Sequence, residues 1–410
     1  MTNSGQSRID AVDALRGFAL AGVGLVHMIE QYTGAPLTEP VVQTATAGML
    51  DKILFGIDQA LMVGKFYLLF SLLFGLSFFL QIDKPSRNGE PFHGRFAWRL
   101  AILFIFGYLH HLFYRADILM LYAVLGLLLL PLHRLSTRTL MIIAIAMFIG
   151  LGRFISFGLL GDALPLSQAG DPENIAYFEV LKNGSLWDVF AINNIGGFEN
   201  LIPFLFGITG RGYVTFGLFL VGICLGRSGF FKNPGACRPL IKKVLWWGLG
   251  LSVLNLALTF AFFSQAEQPP TLSTWIEAVA LTFYDLFNLS VGAVFSCLFL
   301  LAVLGAKGQA LLRTFAPYGR MALSNYLLQS LIGTLLFYGW GFGLIGEWPV
   351  RYMFLAGIVI AAAQIVLSRI WLKHCHYGPC EWLWRTLTLR QRVKLRRQEQ
   401  TAAVTNPATE

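Results

Sequence analysis

The sequence predicts an all-α membrane protein, a polytopic helical bundle of about ten transmembrane helices with both termini in the cytoplasm. Three observations support this fold class. Of the 410 residues, 56% are hydrophobic and 13% are charged, whereas ordinary soluble domains carry about 25% charged residues. About ten apolar stretches approach or exceed the roughly 17–25 residues that cross a bilayer. Lysine and arginine are concentrated in alternate connections, which is typical of cytoplasmic loops.

The predicted spans follow one another along the chain with mostly short connections. The third and fourth are short and nearly contiguous, so we expect a tight hairpin that turns at residues 114–117. Gly207, Gly210 and Gly212 interrupt the sixth, which is expected to be a broken helix or to begin later. The spans lie near residues 12–31, 53–80, 98–114, 117–133, 139–160, 201–226, 242–264, 273–304, 319–340 and 349–372.

The loop charges fall into two sets that alternate along the chain. Because basic loops mark the cytoplasm, this alternation places both termini inside and residues 32–51 and 161–200 outside. The formal net charge of +9 is therefore a topology signal, and no nucleic-acid partner is expected. The basic set contains Arg8, Lys84, Arg87, Arg95, Arg134, Arg138, Arg227, Lys232, Arg238, Lys307, Arg313, Arg390, Arg392, Lys394, Arg396 and Arg397. The acidic set contains Asp162, Asp171, Glu173, Glu179, Asp188, Glu199 and Glu267.

The loops also divide the chain into three parts. Residues 1–226 are predicted to form an N-terminal six-span bundle, and residues 242–390 a C-terminal four-span domain. Residues 391–410 are predicted to be a basic, then disordered, cytoplasmic tail. The segment 175–192 mixes aromatic and acidic residues and is expected to form an interfacial helix over the functional site.

The first span, which contains DALRGFALAGVGLVHM, carries ionisable residues at both ends. Such residues are functional candidates because hydrocarbon penalises them. Arg16 and His27 lie roughly 16 Å apart along the helix and within roughly 20° of one face. His27 suits a general base, since its pKa lies near operating pH, or is a helix-end histidine bonded to a backbone carbonyl. Asp13 and Arg16 form an i, i+3 ion pair, or Arg16 binds phosphates bidentately.

A second histidine–acid pair is predicted at the hairpin. His110 and His111 lie near the end of the third span, and adjacent helix positions point about 100° apart, so only one is expected to face the bundle interior. Asp117 begins the fourth span and can pair with His110, which fixes the tautomer and raises basicity. The alternative role for Asp117 is a helix cap. Glu30 either orients His27 or is a solvated interfacial acid.

Lys65 is the cation that lies deepest in a predicted span, where its side chain cannot easily reach the surface. Its expected partner is Asp58, seven residues earlier on nearly the same face, or a ligand anion. Arg153 and Arg211 lie nearer the outer surface and are expected to snorkel. The HCHYGPC segment at 374–380 has metal-binding atom types, but its Cys-x4-Cys spacing is unusual, so no metal is expected.

The first span resembles the opening of the membrane acyltransferase superfamily, in which an Asp, a nearby Arg-Gly and an apolar run precede a His or Asn. That superfamily includes the lysosomal heparan-glucosaminide acetyltransferase and bacterial enzymes that O-acetylate surface polysaccharides. The whole chain more closely resembles the YeiB-like family of bacterial inner-membrane proteins, many of which have Asn at the position of His27. The matching stretches are KFYLLFSLLFG at 65–75, GYLHHLFYRADILMLYAVLG at 107–126, GRMALSNYLLQS at 319–330 and GPCEWLWRTLTL at 378–389.

The resemblance implies a multi-pass acyltransferase of the bacterial cytoplasmic (inner) membrane, with residues 1–226 as the acyltransferase-like bundle. Acetyl-CoA or another acyl-CoA is the expected donor, and an extracytoplasmic hydroxyl or amine, such as that of a glycan, is the expected acceptor. Membrane lipids are further partners, and a homodimer is compatible with the sequence. The residues implied are His110, Asp117 and His27 for catalysis and Arg16, Lys65 and Asp13 for donor binding.

A transporter or flippase is the alternative function. Many spans, glycine-broken helices and buried charges fit transport as well as they fit acyl transfer. The position of the carboxylates favours acyl transfer, because coupling carboxylates in transporters lie near the membrane midplane, where this chain has few apart from Asp58 and Asp285.

The segregation of basic residues makes a testable prediction about topology. A reporter fused after Gly170 and a reporter fused to the C-terminus are expected to report opposite sides of the membrane. Alkaline phosphatase and fluorescent-protein fusions measure this directly. Two fusions that report the same side would contradict the ten-span arrangement.

Overall fold

The computed structural model describes residues 4–32, 39–82, 92–160, 171–194, 198–232, 234–266 and 272–397. Within these ranges the chain forms α-helices and no β-strand. The helices are α1 (Ser4–Glu30), α2 (Glu39–Ala45), α3 (Met49–Ile57), α4 (Phe66–Ile82), α5 (Phe92–Phe113), α6 (Leu119–Leu132), α7 (Thr137–Phe148), α8 (Leu151–Leu160), α9 (Pro172–Asn183), α10 (Leu186–Asn193), α11 (Phe198–Phe206), α12 (Arg211–Arg227), α13 (Arg238–Phe263), α14 (Trp275–Val303), α15 (Gly308–Arg320), α16 (Ala322–Phe337), α17 (Val350–His374) and α18 (Pro379–Leu389).

The helices confirm the predicted all-α membrane bundle. In the described part of the chain, six helical segments are long and apolar enough to cross a membrane. A seventh arises if α7 and α8, which are bent by 53°, form one span. Two further predicted spans coincide with shorter apolar helices, α6 with 14 residues and α16 with 16, and the sixth predicted span coincides with α11 and the 17-residue α12. Helices therefore occupy all the predicted segments, and the count of ten spans stays a prediction.

Three of the predicted spans are broken at irregular turns. A π-helical turn at Asp58–Met62 separates α3 from α4. Gly150, with φ of 84°, makes the bend between α7 and α8, which a side chain with a Cβ would resist because left-handed backbone favours glycine. Gly210, with φ of 63°, separates α11 from α12. The sixth span is thus broken, as its glycines predicted.

Helix α1 lies at the centre of the bundle. Its apolar stretch is 67% buried, whereas that of α13 is 17% buried and that of α17 is 28% buried. It packs against α4 of the predicted N-terminal bundle and against α15 and α17 of the predicted C-terminal domain. The two segments of the chain therefore share one core around α1, and large apolar side chains of α13 such as Trp246 and Val253 remain exposed for contact with lipid.

Two glycines allow α1 and α15 to cross with their backbones in contact. A Cβ at Gly17 would collide with the carbonyl oxygen of Phe315, and a Cβ at Gly319 would collide with that of Asp13. Small residues at such crossings are common in membrane bundles, where close backbone packing supplies much of the association energy.

The segment predicted to be one interfacial helix forms two helices, α9 and α10. Ser185 begins α10 with a capping box to Asp188, which ends one helix and starts the next. Phe178, Leu181 and Val189 from these helices pack in one apolar cluster with Tyr114 at the end of α5. The pair therefore covers one end of the bundle, although as two helices and not one.

The crossing of α1 and α15 predicts a position-specific cost of adding one methyl group. We expect Gly17→Ala to lower the free energy of unfolding by about 1–3 kcal/mol, because overpacking forces the two backbones apart. Gly250→Ala in α13 is the matched control, since a Cβ there meets nothing within 4 Å. It should be neutral or stabilising by up to about 1 kcal/mol. Thermal unfolding in detergent checks both variants, and equal melting temperatures would rule out the crossing.

Candidate functional site

One cavity of about 710 Å³ runs through the bundle beside α1. Side chains from α1, α4, α5, α6, α11, α12, α15, α16 and α18 line it. The middle of the cavity is apolar, and polar groups lie at its two ends. The apolar lining includes Val23, Phe66, Phe70, Leu73, Phe74 and Leu119.

Four arginines form one end of the cavity, which we name the basic mouth: Arg16, Arg99, Arg320 and Arg385. Arg99 interacts electrostatically with both Arg16 and Arg385. The Asp13 carboxylate accepts a 2.5 Å hydrogen bond from Arg16 Nη1 and is the predicted ion pair. Cations this close repel one another, so the basic mouth is a favourable place for a polyanion.

Aromatic rings hold two of these guanidinium groups. Arg99 lies 3.6 Å from the centre of the Trp384 ring, and Arg385 lies 5.1 Å from that of Tyr377. Arg16 Nη2 donates to Ser77 Oγ at 3.2 Å. Stacked guanidinium groups keep their edges available, and those edges bind phosphate bidentately.

Glu381 links α18, which carries Arg385 of the basic mouth, to the first turn of α16. Its carboxylate accepts hydrogen bonds from the backbone N–H groups of Leu323 at 2.7 Å and Ser324 at 3.1 Å, and from Ser324 Oγ at 2.5 Å. These are donors of the first turn of α16, which have no partner within the helix. Burial raises the pKa of Glu381, and the hydrogen bonds from Ser324 oppose this shift. The stretches 319–330 and 378–389 therefore meet at one contact.

At the other end of the cavity, Asp117 lines the wall and pairs with His110, which lies behind it and does not itself line the cavity. His110 Nδ1 lies 2.7 Å from Asp117 Oδ1, and Asp117 Oδ2 accepts a 2.9 Å hydrogen bond from the backbone N–H of Met120. Asp117 therefore both orients the imidazole and caps α6, so the two predicted roles coexist. A Cβ at position 107 would lie 2.8 Å from Asp117 Oδ2. Glycine at this position therefore leaves room for the Asp117 carboxylate.

Both histidines of the hairpin are buried, and the expectation that only one of them faces the bundle interior stays a prediction. His110 is 5% exposed and His111 is 0% exposed. His111 Nδ1 lies 3.2 Å from the carbonyl oxygen of Arg115 in the turn. The sequence argument considered α5 alone, whereas α10 packs against the outer face of this helix end, where Asn193 Nδ2 donates to the Leu112 carbonyl oxygen.

His27 lines the cavity at the same end. Its ring centre lies 5.2 Å from that of Tyr114 and 6.0 Å from that of Tyr326. Its Nδ1 has no hydrogen-bond partner among the described residues, so this nitrogen is not bonded to a neighbouring backbone carbonyl. The Glu30 carboxylate accepts from Gln59 Nε2 and does not orient the His27 ring.

Lys65 lies away from the basic mouth. Its Nζ donates to the backbone carbonyl of Gln59 at 3.1 Å and lies 4.9 Å from the centre of the Phe287 ring. Ser77, which contacts Arg16, lies twelve residues later, or roughly 18 Å along a helix. Lys65 interacts electrostatically with Asp58, its predicted partner, but the two form no hydrogen-bonded ion pair among the described residues. The π-helical turn after Asp58 breaks the helical spacing on which that prediction depended.

Arg153 and Arg211 do not snorkel, which corrects a second expectation. Arg153 is 2% exposed and forms an ion pair with Asp285. It also donates to Thr282 Oγ1 at 2.6 Å and to the Thr209 carbonyl at 2.6 Å. Arg211 lines the cavity, with its guanidinium 5.3 Å from the centre of the Tyr67 ring. Both arginines turn inward because partners inside the bundle compensate their charge.

Comparison with known proteins identifies the family. YeiB of Escherichia coli K12, an uncharacterised protein, is 31% identical over 346 residues, which cover 80% of this chain and 82% of that protein. The chain belongs to the YeiB-like family. YxaH of Bacillus subtilis 168, also uncharacterised, is 27% identical over 409 residues, which cover 93% of this chain and 94% of that protein. Residues 225–391 match a family described as a protein of unknown function, DUF418. No solved structure matches the chain.

Sequence reasoning on this YeiB-like protein missed most of the basic mouth. Arg16 was a candidate, but Arg99, Arg320 and Arg385 were not, and neither was Tyr326 at the histidine end. A signal was present, because the stretches GRMALSNYLLQS and GPCEWLWRTLTL carry three of these four residues. Because the two stretches are far apart along the chain, the sequence alone did not indicate that they line the same cavity.

Proposed function

We propose that this YeiB-like protein is an acyltransferase of the bacterial inner membrane. It moves an acyl group, with acetyl as the first expectation, from cytosolic acyl-CoA to an extracytoplasmic hydroxyl or amine acceptor such as a glycan. One observation carries the proposal: a single cavity has an arginine cluster at one end and His27 and Asp117 at the other, joined by an apolar passage, and Asp117 pairs with His110 directly behind the cavity wall.

The basic mouth supports binding of the donor. The phosphates of an acyl-CoA are polyanionic, and guanidinium groups bind phosphate with two parallel hydrogen bonds. Its uncharged arm fits an apolar passage between Phe66, Phe70 and Phe74. Arg16 and His27 are eleven residues apart on α1, so the arm must cover roughly 16 Å to bring its thioester to the histidines.

The histidine end supports the chemistry. In the proposed step, His110 removes the proton from the acceptor O–H or N–H, and the acceptor atom attacks the thioester carbon. The tetrahedral intermediate then collapses, the C–S bond breaks, and the thiolate of CoA takes up the proton that His110 removed from the acceptor. Asp117 keeps the His110 proton on Nδ1, which leaves Nε2 as the base, and Nε2 has no partner among the described residues. His27 supplies a second hydrogen-bonding group beside it.

Transport is the competing function, and one feature favours it. Asp58 is fully buried at a π-helical break, near Glu30 and Lys65, and broken helices with buried charges are typical of transporter binding sites. Transport leaves acyl-CoA intact, whereas acyl transfer releases free CoA. Purified protein with labelled acetyl-CoA therefore separates the two functions, and uptake of substrate without CoA release would favour transport.

Donor binding predicts the effect of removing one arginine of the mouth. Arg16→Ala is expected to weaken acetyl-CoA binding about 10- to 100-fold, because a hydrogen bond to a charged group contributes about 1.5–3 kcal/mol. Arg385→Ala, which disturbs no ion pair among the described residues, should do the same. Arg138→Ala is the control, since Arg138 is exposed on α7 and does not line the cavity. Isothermal titration measures all three. Unchanged affinity in both mouth variants would leave Arg16 as a partner of Asp13 only.

The histidine end predicts an order of activities. His110→Ala should abolish turnover, because losing a general base costs about 10²–10⁴ in rate. His27→Asn should retain part of the activity, since asparagine keeps a hydrogen bond but cannot shuttle a proton. Asp117→Asn should fall between them, because the imidazole remains but its orientation is lost. Steady-state rates at matched thermal stability give the order. An inactive His27→Asn beside an active His110→Ala would assign the base to α1.

A further inference from the structure

We infer that Tyr326 is a further catalytic residue, whose hydroxyl donates a hydrogen bond to the carbonyl oxygen of the thioester as negative charge develops there. The inference rests on the proposed acyl transfer and deepens it. His110 acts as the base and Asp117 accepts its Nδ1 proton, so neither of these two donates to the oxyanion, which needs a donor.

Tyr326 lies beside the place where the reacting carbon would bind. It lines the cavity, is 7% exposed, and its ring centre lies 4.9 Å from that of His110 and 6.0 Å from that of His27. Its hydroxyl has no hydrogen-bond acceptor among the described residues. A buried hydroxyl without an acceptor costs free energy, so a bound carbonyl oxygen would relieve that cost.

The neighbours of Tyr326 hold its helix in one orientation. Asn325 Nδ2 donates to Ser368 Oγ at 2.9 Å, and the Asn325 carbonyl accepts from Gln364 Nε2 at 3.1 Å. One turn later, Gln329 Nε2 donates to the hydroxyl of Tyr318 at 2.7 Å. These bonds fasten α16 to α15 and α17. The tyrosine therefore needs no reorganisation during the reaction, which is the condition for strong electrostatic stabilisation.

Two other hydroxyls in this region do not meet the same conditions. Tyr114 contacts both histidines, with ring-centre distances of 5.2 Å to His27 and 5.4 Å to His110. Its hydroxyl also lacks a partner among the described residues, but Tyr114 does not line the cavity. Thr215 of α12 lines the cavity, but it has no ring and makes no ring contact with either histidine. Tyr326 alone of these three combines cavity lining with contact to both histidines.

The proposed interaction leaves the balance of the step unchanged. The acceptor oxygen or nitrogen forms a bond to the carbonyl carbon, and the π electrons move to the carbonyl oxygen, which the tyrosine hydroxyl stabilises without giving up its proton. Collapse re-forms the carbonyl and expels the CoA thiolate. Since the negative oxygen exists only in the transition state and the intermediate, the bond should affect kcat and leave donor binding unchanged.

Tyr326→Phe removes one oxygen atom and is the direct test. The kcat for acetyl transfer should fall about 10²–10³-fold, as it does when one oxyanion donor is removed, while the KM for acetyl-CoA stays within about threefold. Tyr114→Phe is the matched control, with the same chemical change beside the same two histidines, and its kcat should stay within about threefold.

A second experiment uses substitutions that retain both the ring and the hydroxyl of residue 326. Fluorotyrosines of increasing acidity at position 326 are stronger donors, and kcat should change steadily with that acidity. A Tyr326→Phe protein with wild-type kcat, or equal losses in both phenylalanine variants, would overturn the inference and leave acyl transfer intact. A fluorotyrosine series with constant kcat would overturn it as well. A wild-type protein that releases no CoA with any acceptor would instead overturn the proposed function and this inference with it.

Discussion

The backbone contact between α1 and α15 determines where the polar groups of the cavity lie. Gly17 and Gly319 let these helices approach without side chains between them, and each glycine is next to an arginine of the basic mouth, Arg16 or Arg320. The contact therefore brings two cations of distant sequence to one place. From there α1 runs to His27, while the chain turns after Arg320 into α16 and reaches Tyr326. The crossing thus fixes both ends of the cavity.

The arginines of this bundle are arranged in two different ways. Arg153 is enclosed by Asp285, Thr282 and the Thr209 carbonyl, so its charge is compensated inside the protein. The arginines of the basic mouth outnumber the carboxylates beside them, and their charge faces the cavity. The first arrangement fits a structural ion pair, for which removing one partner is costly. The second retains uncompensated charge, which is typical of a binding site.

Much of the fold and part of the site could be predicted from the sequence. Contacts between residues close together in the chain were predictable, whereas contacts between distant residues were not. Hydrophobicity located the helices, and the His110–Asp117 pair was predictable because a turn of a few residues joins its members. Asp58 and Lys65 interact electrostatically but form no close ion pair, because the spacing argument assumed a continuous α-helix and a π-helical turn intervenes. The stacking of Arg99 on Trp384 joins residues 285 positions apart, so no local pattern could have revealed it.

The hydrogen bonds of Glu381 have a consequence for how the protein is made. They satisfy the first turn of α16 with a residue that is 57 positions later than Ser324. During synthesis α16 therefore enters the bundle before its partner exists, and α17 must follow before α18 can fold back. Trp384 and Arg385 arrive in the same step. The basic mouth is assembled last on the ribosome, so a nascent chain that has already buried its histidines still lacks the place where an anion would bind.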